Sequence, residues 1–331
     1  MNDLLAARGP APLLRTASII VCTDRRPHGF VRAVRSAFAQ RGAGLAIDVI
    51  AVDADPSGSA AGLMRALEAE TPCPFTWTQA QGPGRGAARN AGLALARGDI
   101  IAFLDDDQEA EPGWLAALAS PLRTGCADAS FGPVAACLPD GVRAARSIIA
   151  RLASRTGPAG PGPGAPLLDV GAAAFLRARM FPQRAPFAVE HLTAGGEADA
   201  ALAAAQARGA VFAWTPEARA RIHVEAQNAR LGAAIARATA SGRRRLRALA
   251  AAGAGAENLA ALRLIAAAEL ALAAPAAALA WGLMLKSRED LLERACRAAG
   301  ALAPIAARPS AASVSRPVGL RRRSQARVPA V

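Results

Sequence analysis

The chain has 331 residues, which is enough for one large domain or two smaller ones. Hydrophobic residues make up 53% of it and aromatic residues only 4%, so Ala, Leu and Val dominate the apolar residues and helices are favoured. The five cysteines include no CxxC pair, which favours a reducing compartment. Together with three scattered histidines, they argue against a structural zinc site.

The net charge of +13 is concentrated at the C-terminal end of the chain. Residues 224–331 contain 17 Lys and Arg against 6 Asp and Glu, a net charge of +11, which leaves +2 for residues 1–223. Basic segments attract anionic lipid, nucleic acid or acidic partners. Because only Trp281 is available there to stack on bases, an anionic membrane surface is expected and a specific nucleic-acid partner is not.

Residues 1–16 form an N-terminal extension without the basic start or the apolar run of a secretory signal, so the protein is expected in the cytoplasm. From residue 17 to about residue 224, short apolar runs alternate with amphipathic stretches, a pattern typical of an α/β sheet flanked by helices. Strands are predicted at 18–22, 46–52, 75–78, 100–104, within 169–177 and at 211–214. Helices are predicted at 30–40, around 64–67, at 87–96 and at 196–208.

Three of these strands end in polar residues, namely Thr23, Asp24 and Arg25, then Asp53, and finally the triplet 105–107. Ligands bind open parallel sheets beyond the carboxyl ends of the strands. Three consecutive carboxylates are the strongest such signal, because hard divalent cations take oxygen ligands and bridge them to phosphates. The alternative is that the triplet only caps a helix starting near Glu111 and Pro112.

Beyond residue 225 the Ala-, Arg- and Leu-rich composition predicts helices as far as residue 307, followed by a disordered basic tail at 308–331. The apolar run 264–285 is long enough to cross a bilayer. A buried helical hairpin broken at Pro275 and a helix lying in the membrane interface are the alternatives. Earlier in the chain, GPAGPGPGAP at 157–166 predicts a mobile loop.

Several ordered motifs resemble the family 2 glycosyltransferases with the GT-A fold, most closely their succinoglycan-type exopolysaccharide branch. They are SIIVCTDRRP (18–27), VIAVDADPSGS (49–59) and GPGRGAARNAGLALARGDIIAFLDDDQEAEPGWL (82–115). The resemblance covers residues 17–224 and implies a Rossmann-like mixed sheet flanked by helices, with a nucleotide-sugar half (17–135) and an acceptor half (167–224). It implies inverting transfer of a sugar, most commonly from a UDP-sugar, to a glycan or lipid-linked acceptor at the inner face of the cell membrane.

The resemblance also implies roles for individual residues. Nucleotide-sugar contacts are implied for Thr23, Asp24, Arg25, Asp53, Arg89, Asn90, Asp105 and Asp106. Ligation of Mn²⁺ or Mg²⁺ is implied for Asp105, Asp107 and His223, with a purely structural role as the alternative for the histidine. Arg85 is a further candidate for phosphate binding, and a surface turn residue is the alternative.

The acceptor half departs from the family pattern. The family usually has Gly-Gly-Glu-Asp, whereas this chain has Gly-Gly-Glu-Ala-Asp, so Ala198 stands at the position of the usual catalytic base. Asp199 or Glu197 would have to replace that base. Ala172 and Ala188 stand where the family commonly has Asn and Asp. The alternative to an active enzyme is therefore a catalytically impaired domain that binds nucleotide-sugar and acts as an interaction subunit.

Overall fold

The computed structural model describes residues 13–41, 44–82, 84–142, 146–157, 169–187, 196–251, 255–285 and 288–302. The strands in this part of the chain are β1 (Thr16–Thr23), β2 (Ala46–Asp53), β3 (Phe75–Gln79), β4 (Ile100–Asp105), β5 (Gln108–Ala110), β6 (Ala129–Phe131), β7 (Val134–Cys137), β8 (Ala173–Leu176), β9 (Phe212–Trp214) and β10 (Ala220–His223). The helices are α1 (Pro27–Phe38), α2 (Ala61–Glu70), α3 (Arg85–Leu95), α4 (Trp114–Arg123), α5 (Arg146–Ala153), α6 (Arg177–Met180), α7 (Gly196–Ala207), α8 (Leu231–Ala251), α9 (Ala256–Gly282) and α10 (Arg288–Leu302).

The main sheet has seven strands in the order β3-β2-β1-β4-β8-β6-β9. Strands β3, β2, β1 and β4 are parallel, so their carboxyl ends reach one edge of the sheet. Strand β8 runs antiparallel to β4 and pairs Ala173 with Phe103, which brings the start of β8 to the same edge. The predicted mixed α/β sheet flanked by helices is confirmed.

Two buried clusters cover the two faces of this sheet. Helices α1, α2 and α4 bury Phe30, Met64 and Trp114 against one face, and α3 and α7 lie on the other. Neighbouring residues of β1, Ile19 and Ile20, belong to opposite clusters because side chains alternate along a strand. The continuous apolar run in β1 therefore reflects a strand that is covered on both sides.

A second sheet of three short strands, in the order β5-β10-β7, was not predicted. Each of its strands has three or four residues, too few to show an alternating pattern. The expectation that 211–214 is the last strand is wrong, since β10 follows it. The capping alternative for the aspartates is also wrong, because β5 follows them directly and α4 begins only at Trp114, after Gly113.

Helices α8, α9 and α10 follow the sheets, as the composition predicted. Helix α9 runs without a break through Pro275, so the hairpin alternative is wrong. Proline removes one backbone hydrogen bond, and the many neighbouring alanines and leucines, which favour a helix, compensate for it. Residues 259–282 are long and apolar enough to cross a membrane, with a mean hydropathy of 1.8. The predicted tail at 308–331, Ala188 and most of the loop at 157–166 lie outside the described residues.

Candidate functional site

Asp106 ties the end of β1 to the end of β4. Its Oδ2 accepts hydrogen bonds from Thr23 Oγ1 (3.1 Å) and the backbone N of Asp24 (3.2 Å), and Arg26 Nη1 lies 3.2 Å from its Oδ1. The residue is only 6% exposed, and this burial raises the pKa of its carboxyl group. Thr23 and Asp106 thus position the loop after β1 in this structure, whereas the side chain of Asp24 is on the surface.

Asp107 and Arg26 form the second contact at this edge. Arg26 Nη1 lies 2.9 Å from Asp107 Oδ2, and Arg26 Nε lies 3.3 Å from Glu225 Oε1. Burial, with a smaller contribution from the charge of Asp105, raises the pKa of Asp107 to about 6. The sequence reasoning missed Arg26, although its position directly before Pro27, the first residue of α1, fixes it at the end of β1.

Arg89 connects the aspartates to α7. Its buried guanidinium lies 3.3 Å from Asp105 Oδ1, 3.0 Å from Glu197 Oε1 and 3.9 Å from Asp169 Oδ1. Helix α3 supplies Arg89, β4 supplies Asp105 and α7 supplies Glu197. One cation therefore joins three elements that are far apart in sequence, and it brings together three residues that the resemblance implied.

The segment before β8 packs directly on Asp105. A Cβ added to Gly171 would lie 2.4 Å from Asp105 Oδ2, so any side chain there would displace the Asp105 carboxylate. The half-buried side chain of Arg155 holds the segment by donating hydrogen bonds to the carbonyl oxygens of Asp169, Gly171 and Ala172. Burial lowers the pKa of Arg155 to about 10. Ala172 has φ +50, a left-handed conformation that the Asn common in the family adopts more readily.

Asp53 organises the loop after β2. It is 2% exposed, and its two carboxylate oxygens accept hydrogen bonds from the backbone N of Asp55 (2.9 Å) and of Ala60 (2.8 Å). Arg25, which has φ +57, places its guanidinium 3.1 Å from Asp55 Oδ1. This hydrogen bond holds the pKa of Asp55 well below its usual range. Asp55 is thus a second acid at this edge that the sequence reasoning did not single out.

Two expected ligand residues bind other protein groups in the structure. The amide of Asn90 forms two hydrogen bonds with the backbone of Phe187, at 2.7 and 3.1 Å, and so holds the acceptor half against α3. His223 Nε2 lies 2.7 Å from Glu109 Oε2, while its backbone N donates to the carbonyl oxygen of Asp107. The ring of His223 contacts Glu109 instead of the expected aspartates.

The start of α7 shows how the altered motif is accommodated. Ala198 is 1% exposed and packs into the core on the α3 and α7 face of the sheet. Glu197 and Asp199 flank it and are themselves only 5% and 8% exposed. An aspartate at position 198 would therefore bury a carboxylate among apolar side chains, so replacing Ala198 by Asp would not restore a usable base.

The geometry at the sheet edge can be compared with known proteins. The sequence profile described as Glycosyl transferase family 2 matches residues 18–180, which include β1, β2, β4 and the aspartates. Residues 18–180, just under half of the chain, are therefore similar to glycosyl transferase family 2, and we refer to them as the family 2 domain. The chain is 37% identical over 117 residues to the succinoglycan biosynthesis protein ExoM of Rhizobium meliloti (strain 1021). That match covers 35% of this chain and 38% of the length of the relative.

Solved structures show the same fold around the family 2 domain. The mannosyltransferase PcManGT from Pyrobaculum calidifontis, in complex with GDP-Man and Mn²⁺, superposes with a TM-score of 0.58 over 89% of this chain and 88% of its own, at 17% identity. GalNAc-T7 with UDP, GalNAc and Mn²⁺ gives a TM-score of 0.54 over 72% of this chain and 48% of its own, at 14% identity. The predicted GT-A architecture is confirmed.

The carboxylates at the sheet edge suit a divalent cation whose remaining ligands are phosphate oxygens of a bound substrate. Within the described residues no three His, Cys, Asp or Glu side chains are grouped as a complete metal site. Asp105 and Asp107 nevertheless provide two carboxylates. Burial, followed by the charge of Asp105, raises the pKa of Asp107, and a cation would stabilise its ionised form. Mg²⁺ and Mn²⁺ are commonly held by one or two carboxylates together with substrate phosphates, so the residues fit.

Proposed function

We propose that the chain is an inverting, metal-assisted glycosyltransferase that moves a sugar from a nucleoside-diphosphate donor to a glycan or lipid-linked acceptor. The convergence of Asp105 and Asp107 with the guanidinium groups of Arg26 and Arg89 at one edge of the sheet carries this proposal. A UDP-sugar is the expected donor. The relative ExoM, named for succinoglycan biosynthesis, supports a role in exopolysaccharide assembly. The alternative of an inactive interaction subunit finds no support among the relatives.

From the charges at the sheet edge we propose which residues bind the cation and the diphosphate of the donor. Asp105 and Asp107 would hold Mn²⁺ or Mg²⁺, which supplies Lewis-acid stabilisation to the departing nucleoside diphosphate. Arg85 stands at the start of α3, and Asp105 is the chief cause of its raised pKa, so its permanent charge faces the same edge. Arg85 and the helix N-terminus would attract the diphosphate. Arg89 would keep Asp105 in place through its contact with Asp105 Oδ1.

The acceptor hydroxyl needs a carboxylate that can take its proton. Glu197 is bound to Arg89 with its side chain 6% exposed, and Asp199 is nearly as buried. Asp169 lies beside the same guanidinium but has a side chain that is 44% exposed, and it belongs to the segment that packs on Asp105. Asp169 is therefore our candidate for the general base, ahead of the two residues expected from the sequence.

Nucleotide binding is the first test of the proposed function. Calorimetric titration with UDP and with GDP, each with and without Mn²⁺, should show binding of one nucleotide that requires the metal. Asp107→Asn should abolish that binding, whereas Asp140→Asn, which alters an exposed turn after β7, should not. Failure of the wild-type protein to bind either nucleotide would refute the assignment.

The base is tested by comparing Asp169→Asn with Asp199→Asn. Asp169→Asn should lower the release of nucleoside diphosphate from the bound donor by on the order of 10²-fold or more and leave nucleotide affinity unchanged. Asp199→Asn should keep most of the activity. Release that depends on Asp199 and not on Asp169 would return the role of base to the residue that the sequence indicated.

We also place the protein on the cytoplasmic face of the cell membrane as a peripheral protein. The net charge of +11 in residues 224–331 supports this placement, since juxtamembrane Lys and Arg each add about 1 kcal/mol of attraction to anionic lipid. A lipid-linked acceptor would be within reach there. Fractionation of cells under low and high salt tests the placement, and protein that stays in the supernatant at low salt would contradict it.

A further inference from the structure

Helix α9 presents large apolar side chains to solvent. Leu264, Ile265, Leu272 and Leu279 are 72%, 61%, 74% and 65% exposed, and at 3.6 residues per turn they lie within an arc of about 100°. We refer to these four side chains as the leucine face. Nine of the twelve large hydrophobic side chains that are exposed among the described residues lie between Leu264 and Leu302. The exposure is therefore a local property of this region and not of the surface in general.

The opposite face of α9 is lined by small residues. Ala266, Ala273, Ala277 and Ala280 are buried there, and the helix packs mainly against α10, which buries Ala295 and Ala298. A soluble helix normally turns its large apolar side chains inward. Helix α9 does the reverse, with only 22% of its most apolar window buried. Close packing through small residues, with large residues outward, is the arrangement of helices that face lipid.

The charged groups of α9 and its surroundings fit the same environment. Glu269 is bound to Arg294 of α10 at 3.2 Å, which offsets the cost of bringing an acid near lipid. At the C-terminal end of the helix, the guanidinium of Arg288 lies 5.4 Å from the centre of the Trp281 ring. Aromatic and basic side chains of this kind collect at the boundary between lipid headgroups and acyl chains.

We propose that the leucine face of α9 docks on an anionic lipid bilayer. The apolar face would enter the acyl boundary and the surrounding arginines would contact the headgroups. A second copy of the chain is a poorer occupant, because it would bring the same net charge of +11 in residues 224–331 against this one. The surface is separate from the site at the sheet edge, so the proposal stands independently of the transfer reaction.

Vesicle flotation of the full chain tests this docking. The wild-type protein should float with phosphatidylcholine vesicles that contain phosphatidylglycerol and much less with phosphatidylcholine alone. The double variant Leu272→Ser/Leu279→Ser should lower the partition coefficient between vesicles and buffer by at least about tenfold. The reason is that two exposed leucines no longer enter the lipid. The matched control Leu95→Ser/Val211→Ser changes two side chains that are 39% and 38% exposed elsewhere, and it should bind as the wild type does.

Two results would overturn the proposal. Flotation that is equal for the wild type and for the leucine-face variant would show that α9 does not enter the lipid. A dimer in light scattering that the same double variant dissociates, in a protein that does not float, would assign the leucine face to a second copy. Since both leucines are mainly solvent-exposed, circular dichroism should confirm that each variant is folded.

Discussion

The carboxylate of Asp107 is crowded by Asp105 and Asp106 and is compensated only in part by Arg26. Its pKa is raised from the ordinary 3.8 to about 6, with burial as the main cause. The ionised form therefore costs folding free energy above about pH 6, and this cost is lost as the pH falls through that value, where the folded protein takes up a proton. Asp107 thus lowers the stability of the protein at a position where we propose that a cation binds.

Asp107→Asn should consequently stabilise the protein in the absence of metal. At neutral pH we expect a gain of about 2 kcal/mol in the free energy of unfolding, and no gain near pH 4, where Asp107 itself is largely protonated. Urea denaturation at the two pH values measures the difference. A variant that is less stable than the wild type at neutral pH would mean that the contact with Arg26 outweighs the repulsion.

Helix α9 shows how an element can contradict the simplest reading of its sequence. Pro275 suggested a break at residue 275, but the helix continues to Gly282. Proline at an internal position costs up to about 3 kcal/mol relative to alanine, because it removes a hydrogen bond and crowds the preceding turn. The native protein therefore still carries this loss of helix stability at Pro275.

Pro275→Ala should therefore raise the melting temperature and the helical signal in circular dichroism, with a gain of about 1–3 kcal/mol. The substitution is at an exposed position, so no packing is lost. Ala278→Pro, one turn further along the same helix and also exposed, is the matched reverse change and should destabilise by a similar amount. Unchanged stability for Pro275→Ala would indicate that the helix is interrupted at this residue in solution.

At the scale of the whole molecule, Arg89 holds α3, β4 and α7 together. It bridges Asp105 of β4 and Glu197 of α7 while itself only 2% exposed. The Asn90 amide on the backbone of Phe187 lies one residue further along α3 and adds a second link. Buried polar contacts therefore hold these elements together alongside the apolar core.

Arg89→Met should cost about 3–5 kcal/mol, because it leaves the nearly buried carboxylate of Glu197 without its cation. The exposed pair between Arg35 and Glu70 is the control, with side chains 59% and 48% exposed, and Arg35→Met should cost less than about 1 kcal/mol. Urea denaturation of both variants gives the comparison. Equal losses would show that the Arg89 bridge adds no more than a surface ion pair.

Much of the nucleotide half follows from the sequence by itself. The buried strands β1, β2 and β4 each carry a continuous apolar run, and the polar residues at their carboxyl ends mark the edge at which we propose that the donor binds. Both signals are local, since a strand and its terminating aspartate are neighbours in the chain. The basic, helical character of the C-terminal region is likewise a matter of composition.

Only the tertiary structure decided which side chains meet at that edge. The contact between Arg89 and Glu197 joins residues 108 positions apart, and the contacts of Arg26 with Asp106 and of Arg89 with Asp169 each join residues 80 positions apart. No local pattern encodes such distances. The tertiary structure also decided that Ala198 points into the core and that the leucine face points to solvent. Sequence periodicity gives the spacing of side chains on a helix, but it does not give the neighbours that they face.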